Sequence, residues 1–226
     1  MIKQMPLLCL ILIALFSIET TGQTHSTSQQ PTPSPAATPD PSIDMGQLDG
    51  VDYVNNSFGF SLSIPKEWVV ATAQRRAEFD EQIKKMVTAP DQKKMDQVQE
   101  SIERSKTLLR ITKLPEGEPN NAQFAVIAER RPSPLIKTGA DVIELMRKGM
   151  QGTNFTLEFI GAVRTETLSA VEFGVADVKV TSPYGVYRQR IYMTVSGEYA
   201  LELFFTYLND ADLASFDEIM KSVKFK

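Results

Sequence analysis

Apolar and polar residues alternate most clearly at Phe58, Phe60, Leu62 and Ile64, which are separated by Gly59, Ser61 and Ser63. That period of two marks a strand with one buried face. Val51 to Asn55 forms a preceding strand, joined to it at Asn55-Asn56-Ser57; Pro65 ends the ladder before Trp68, a large apolar anchor. From Ala73 to Ser105 the period lengthens to that of a helix. Phe79, Ile83, Met86 and Val87 share one face, as do Met95, Val98 and Ile102. Acid-before-base pairs (Asp80–Lys84, Glu81–Lys85, Glu100–Arg104) support it, and Pro90 either kinks this helix or begins a second one.

Further strands are predicted at Leu108 to Thr112, Gln123 to Glu129, Phe155 to Val163, Val171 to Thr181, Val186 to Val195 and Tyr199 to Tyr207. Ser196-Gly197 turns the last two into a hairpin. Thr138 reads as a helix N-cap, with Asp141 completing a capping-box variant. Ile143, Met146 and Met150 line that helix and Gly152 stops it; a final helix begins near Asp210, with Leu213, Phe216, Met220 and Val223 facing the core. Strands that arrive in hairpins, with helices spread among them, predict an α+β fold. The expected form is a mainly antiparallel sheet of about six to seven strands with helices on both faces.

The N-terminal region changes the picture from fold to location. Lys3 precedes an apolar run from Leu7 to Ile18, a length suited to a signal-peptide core and short of the roughly 20 residues that span a bilayer. Cleavage is expected between Gly22 and Gln23; an uncleaved anchor is the alternative. Cys9 lies inside the apolar run, the wrong place for a lipid-modified cysteine. From Gln23 to Gly50 the chain is rich in Pro, Ser and Thr and reads as a disordered spacer before a domain from Val51 to Lys226. Asp40, Asp44 and Asp49 lack the Gly and closing Glu of a calcium loop.

Composition narrows the chemistry. The single Cys is Cys9 and the single His is His25, so the predicted domain has neither. Common nucleophile–base pairs and tight zinc, haem or iron–sulfur ligand sets therefore have no residues to build them. The domain must also fold without disulfides, as about 175 residues can by burying one sizeable core. A formal net charge of −4, with acids interleaved among the basic doublets Arg75-Arg76, Lys84-Lys85, Lys93-Lys94, Arg130-Arg131 and Arg147-Lys148, does not make a nucleic-acid groove.

Two stretches carry a family resemblance. One contains Tyr53, Phe58, Gly59, Phe60, Pro65 and Trp68; the other runs from Tyr187-Arg188 through Gly197-Glu198-Tyr199 to Phe216 and Val223. Together they resemble the PsbP-like superfamily of photosystem extrinsic subunits, Ran-binding Mog-type proteins and bacterial exported DcrB-like proteins. The resemblance implies an α/β/α sandwich and a non-catalytic accessory or binding role. This chain departs from the family in its long Ala73–Ser105 helical segment and its lack of histidines.

Other motifs reduce to structural readings. Ser63 with Lys66, and Lys137-Thr138-Gly139, match two β-lactamase strings, but Pro65 separates the first pair and Thr138 caps a helix. Glu158, Glu172, Asp177 and Glu202 lie on predicted strands, exposed or partnering Arg188 and Arg190. The aromatics Tyr184, Tyr187, Tyr192, Tyr199, Phe204, Phe205 and Tyr207 suit core packing or a partner surface. Asn55 and Asn154 begin glycosylation sequons. The resulting expectation is an exported, periplasmic or extracellular accessory module with an envelope protein or complex as partner. It has no cofactor, no metal, no catalytic residues and no nucleic acid. A carrier of a small apolar ligand, held between the sheet and the Ala73–Ser105 helices, and a carboxylate hydrolase are the alternatives.

Overall fold

The computed structural model describes residues 43–226. The signal segment, the cleavage pair Gly22 and Gln23, Cys9, His25 and most of the expected spacer lie outside the described residues. The described region begins with strands β1 (Gln47–Asp49), β2 (Asp52–Asn55), β3 (Phe60–Ser63) and β4 (Val69–Val70). Helices α1 (Ala73–Met86) and α2 (Gln92–Glu103) lead into β5 (Ser105–Thr112) and β6 (Gln123–Arg130). Helix α3 (Gly139–Met150) precedes β7 (Thr156–Phe159), β8 (Arg164–Leu168), β9 (Val171–Ser182), β10 (Gly185–Ser196) and β11 (Tyr199–Tyr207). Helix α4 (Ala211–Ser222) and β12 (Lys224–Phe225) complete the order.

The α+β class is as expected, but the strand count is not: one 8-stranded antiparallel sheet runs β4-β5-β6-β11-β10-β9-β7, with β8 also on β9. A second, 4-stranded sheet has the order β1-β2-β3-β12. Two cores form because alternate residues of β6 and β11 point oppositely. Ala125, Ile127, Ala200 and Phe204 join Phe79 and Ile83 of α1, Val98 and Ile102 of α2, and Val142, Ile143 and Met146 of α3. Phe124, Val126, Leu203 and Phe205 instead join Phe60 and Leu62 of β3, Trp68, and Phe216 and Ile219 of α4. The second core thus includes the small sheet as well as a helix, where helices alone were expected.

Three boundaries also differ from the sequence reading. The Ala73–Ser105 segment is two helices: Thr72 caps α1, and the Asp91 side chain accepts from the Lys94 N–H to cap α2. Pro90 therefore starts a second helix rather than kinking one. The expected Phe155–Val163 strand is shorter, β7 alone; Gly161 at φ 81 lies in the connection to β8, a strand beyond Val163 that the pattern did not predict. The spacer does not reach Gly50, since β1 pairs with β2 and Tyr53 O–H donates to the Met45 carbonyl at 2.9 Å. Asp44 adds hydrogen bonds from the Gly46 and Asn56 N–H groups. Burial pushes the Tyr53 hydroxyl up to about 12.

Two packing details position the residues considered next. Thr138 and Asp141 form the predicted capping box, and Gly139 brings the α3 N-terminus against the backbone of β9 and β10. A Cβ at Gly139 would overlap the Met193 carbonyl oxygen, and one at Gly174 would overlap the α3 backbone. Between Thr107 and Leu109, β5 carries a bulge. Ser105 and Thr107 consequently stand on the α1–α3 side, opposite Glu129 and Ile127, while Leu109 and Ile111 pack in the other core.

Candidate functional site

The densest chemistry lies under α2. Glu129 of β6 and Glu202 of β11 are both fully buried. Glu129 is paired across the ladder with Ala200, and Glu202 with Ile127, so the two are diagonal neighbours on the helix-covered face. Ser101 Oγ–H donates to Glu129 Oε1 at 2.7 Å, and Arg104 NH2 reaches the same oxygen at 3.4 Å. Glu129 Oε2 is buried without a hydrogen-bond partner. Burial first, and then the negative charge of Glu202, hold the Glu129 carboxyl well above the usual glutamate range. Arg104 also pairs with Glu100 at 3.1 Å, so its single charge is divided between a surface acid and a buried one. Beside this group, Thr107 Oγ1 donates to Asp80 Oδ1 at 2.6 Å, and burial raises Asp80 as well.

The opposite face of the same sheet carries a balanced ionic array. Asp177 accepts from Arg190 Nε at 2.7 Å and from Arg164 NH1 at 2.9 Å. Arg164 Nε also holds Glu166 at 2.7 Å, and Tyr192 O–H donates to Glu166 at 2.8 Å. Two arginines face two carboxylates, and the side chains remain partly exposed.

A third feature is an open edge. β7 is the last strand of its sheet, and among the described residues no strand pairs with its outer side. Ile160 N–H donates to the Asp177 carbonyl at 2.8 Å. By the alternation of antiparallel pairing, the backbone groups of Leu157 and Phe159 therefore turn outward. Their side chains line a half-open cleft of about 480 Å³ together with Met150, Phe155 and Arg147, and the Arg147 guanidinium lies 6.0 Å from the Phe159 ring centre. Ile160 and Val163, which follow β7, are exposed.

No family model and no curated protein matches this chain. Among solved structures it is similar to cyanobacterial PsbP (CyanoP) from Synechocystis sp. PCC 6803. That match has a TM-score of 0.48 and 13% identity, covering 85% of this chain and 100% of the other. It is also similar to LpqN, involved in cell envelope biogenesis of Mycobacterium tuberculosis (TM-score 0.42, 11% identity, 74% of this chain and 83% of the other). A third similar structure is from Bacteroides thetaiotaomicron VPI-5482 (TM-score 0.40, 12% identity, 79% of this chain and 49% of the other). Likeness at this level is one of fold, and fold does not carry function.

The residues singled out in the sequence are mostly structural. Of the four strand carboxylates, Glu158 pairs with Lys179 at 3.4 Å and Asp177 with two arginines, on the face opposite Glu202. Arg188 binds Asp210 at 3.2 Å, not a strand acid. Ser63 ends β3, its hydroxyl donating to Asp52 at 2.6 Å. Arg75, Lys84, Arg130, Arg147 and Lys148 form surface ion pairs. Tyr187, Tyr192, Phe204, Phe205 and Tyr207 are buried in the two cores and offer no aromatic surface. Asn55 accepts from the Phe58 N–H, and Asn154 accepts from the Thr88 N–H while donating to the Met86 carbonyl. The sequence reading passed over Glu129. Its signal was present: β6 and β11 are nearly continuous apolar runs, the mark of strands covered on both faces, so a glutamate within either is buried.

Proposed function

We propose that this chain is an exported, non-catalytic accessory module that binds an envelope protein by strand addition at β7. The observation that carries this reading is the free β7 edge beside an apolar cleft. Unpaired N–H and C=O groups on an edge strand are a template for another chain. The cleft lined by Leu157 and Phe159 offers pockets for alternate side chains of an extended peptide. The preferred occupant is an extended segment with apolar residues at every second position.

The test compares cross-linked recovery from the native host by the wild-type chain and by Leu157→Lys, which places a charge in the cleft. Support requires an envelope protein recovered by wild type and lost with the variant. The same protein must protect β7 amides from hydrogen exchange when mixed with the purified chain. Equal recovery by both forms, or recovery of the chain alone, would sink the reading. A second reading, carriage of a small apolar ligand, draws on the same cleft, whose volume falls within the range of small-molecule sites. It differs from the position expected between the sheet and α1–α2, where Phe79, Ile83, Val98 and Ile102 are closely buried. Saturable binding of a fluorescent apolar probe, lost in Leu157→Lys without any protein partner, would favour it.

A further inference from the structure

We propose that the strand received at β7 carries an Asp or Glu two places before its apolar pair and lies with that acid at the Phe159 end. This inference rests on strand addition at β7 and goes on to the partner's charge and direction. The groove between β7 and α3 has unlike ends. At one, the Arg147 guanidinium lies over the Phe159 ring. Arg147 NH2 pairs with Glu144 at 2.6 Å, and Lys148 Nζ pairs with the same carboxylate at 3.2 Å. Two exposed cations thus share one acid, which leaves this end positive. A guanidinium that gives one nitrogen to Glu144 keeps further N–H donors for a partner's carboxylate. At the other end, α3 stops at Met150 and the chain turns through residues 151–155 into β7. The carbonyl dipoles of that helix terminus disfavour an acid. Glu158 points to the opposite face of the sheet, where it pairs with Lys179.

The groove is built before anything enters it. Thr88 N–H donates to Asn154 Oδ1 at 2.8 Å, and Asn154 Nδ2 donates to the Met86 carbonyl at 2.9 Å. Both bonds tie the loop after α3 to the end of α1, so a partner need not order that wall. Direction follows from the sheet, whose ladders are all antiparallel. A strand added in the same sense runs from the Phe159 end of β7 toward Phe155. Its residues opposite Phe159 and Leu157 face α3 and are apolar. The residue two places earlier shares that face, on the side of Arg147. The signature is therefore acid-x-apolar-x-apolar, read from the partner's N-terminal side.

Fluorescence anisotropy with the intact chain and three dye-labelled, end-capped peptides at low salt tests this. One contains Asp-Thr-Val-Thr-Val, the second is its reverse, and the third has Lys in place of Asp. The acid-first peptide should bind about fivefold more tightly than either of the others. In the double variant Arg147→Gln, Lys148→Gln that preference should fall below about twofold, and salt at about 0.5 M should do the same to wild type. Equal binding of the first two peptides would overturn the direction, and equal binding of the first and third would overturn the charge. In either case, binding that is lost in Leu157→Lys leaves strand addition standing. Failure of all three peptides to bind would overturn strand addition and this inference together.

Discussion

The two faces of the large sheet handle acidic residues in opposite ways. On one, Asp177 and Glu166 sit partly exposed between Arg164 and Arg190, each charge matched by another. On the other, Glu129 and Glu202 are fully buried, and Glu129 is held by Ser101 and Arg104 of α2. The first arrangement has water as a second partner, so its ion pairs do little for stability. The second is closed off from bulk solvent, so the balance of protons and charges there bears directly on stability.

Removing the buried cation should have the largest effect. Arg104→Met leaves Glu129 without its charge partner and is expected to cost about 3 kcal/mol at neutral pH, read from urea unfolding. Glu202→Gln should act in the other direction. Removing the negative charge that stands beside buried Glu129 is expected to raise stability by about 1–2 kcal/mol near pH 8.

The pH dependence fixes the sign of that second result. Because the folded pKa of Glu129 is raised by burial and by Glu202, the folded state holds its proton more tightly than the unfolded chain. Its stabilising contribution is whole below the unfolded glutamate value of 4.5 and is lost as pH rises through the folded value. Asp80, raised by burial, contributes with the same sign. Unfolding free energy of the wild type should therefore decline from pH 5 to pH 9, and more steeply than in Glu202→Gln. Parallel curves would show that the pair does not titrate on folding.

On the exposed face the same kinds of change should be mild. Asp177→Asn breaks two ion pairs yet should cost no more than about 1 kcal/mol, because solvent replaces what is lost. Lys179→Ala, which removes the cross-strand pair with Glu158, should fall within about 0.5 kcal/mol. If Asp177→Asn proved as damaging as Arg104→Met, exposure would not be what separates the two faces.

Much of the fold was legible in local pattern. The Phe58–Ile64 alternation, the Thr138–Asp141 capping box and the Gly197 hairpin depend on neighbours a few residues apart, and the structure keeps all three. Less legible was β5, where the bulge at Thr107/Leu109 shifts the alternation between faces. A strand that changes phase midway has no single period to detect, which is why only its Leu108–Thr112 part was predicted. The short strands β1, β4 and β12 were also missed, since two or three residues carry no period at all.

What the chain's residue order settled is therefore its local vocabulary: amphipathic helices, alternating strands, caps and turns, and a described region free of histidine and cysteine. Which residues meet across distance was decided only by folding. Ser101, Glu129 and Glu202 come from a helix and two strands, and no spacing rule links them. Likewise, β7 has a free edge only because β8 takes the other stretch of β9 and no described strand follows. Sequence patterns report what each residue wants from its neighbours along the chain, whereas burial and charge balance depend on neighbours brought together through space.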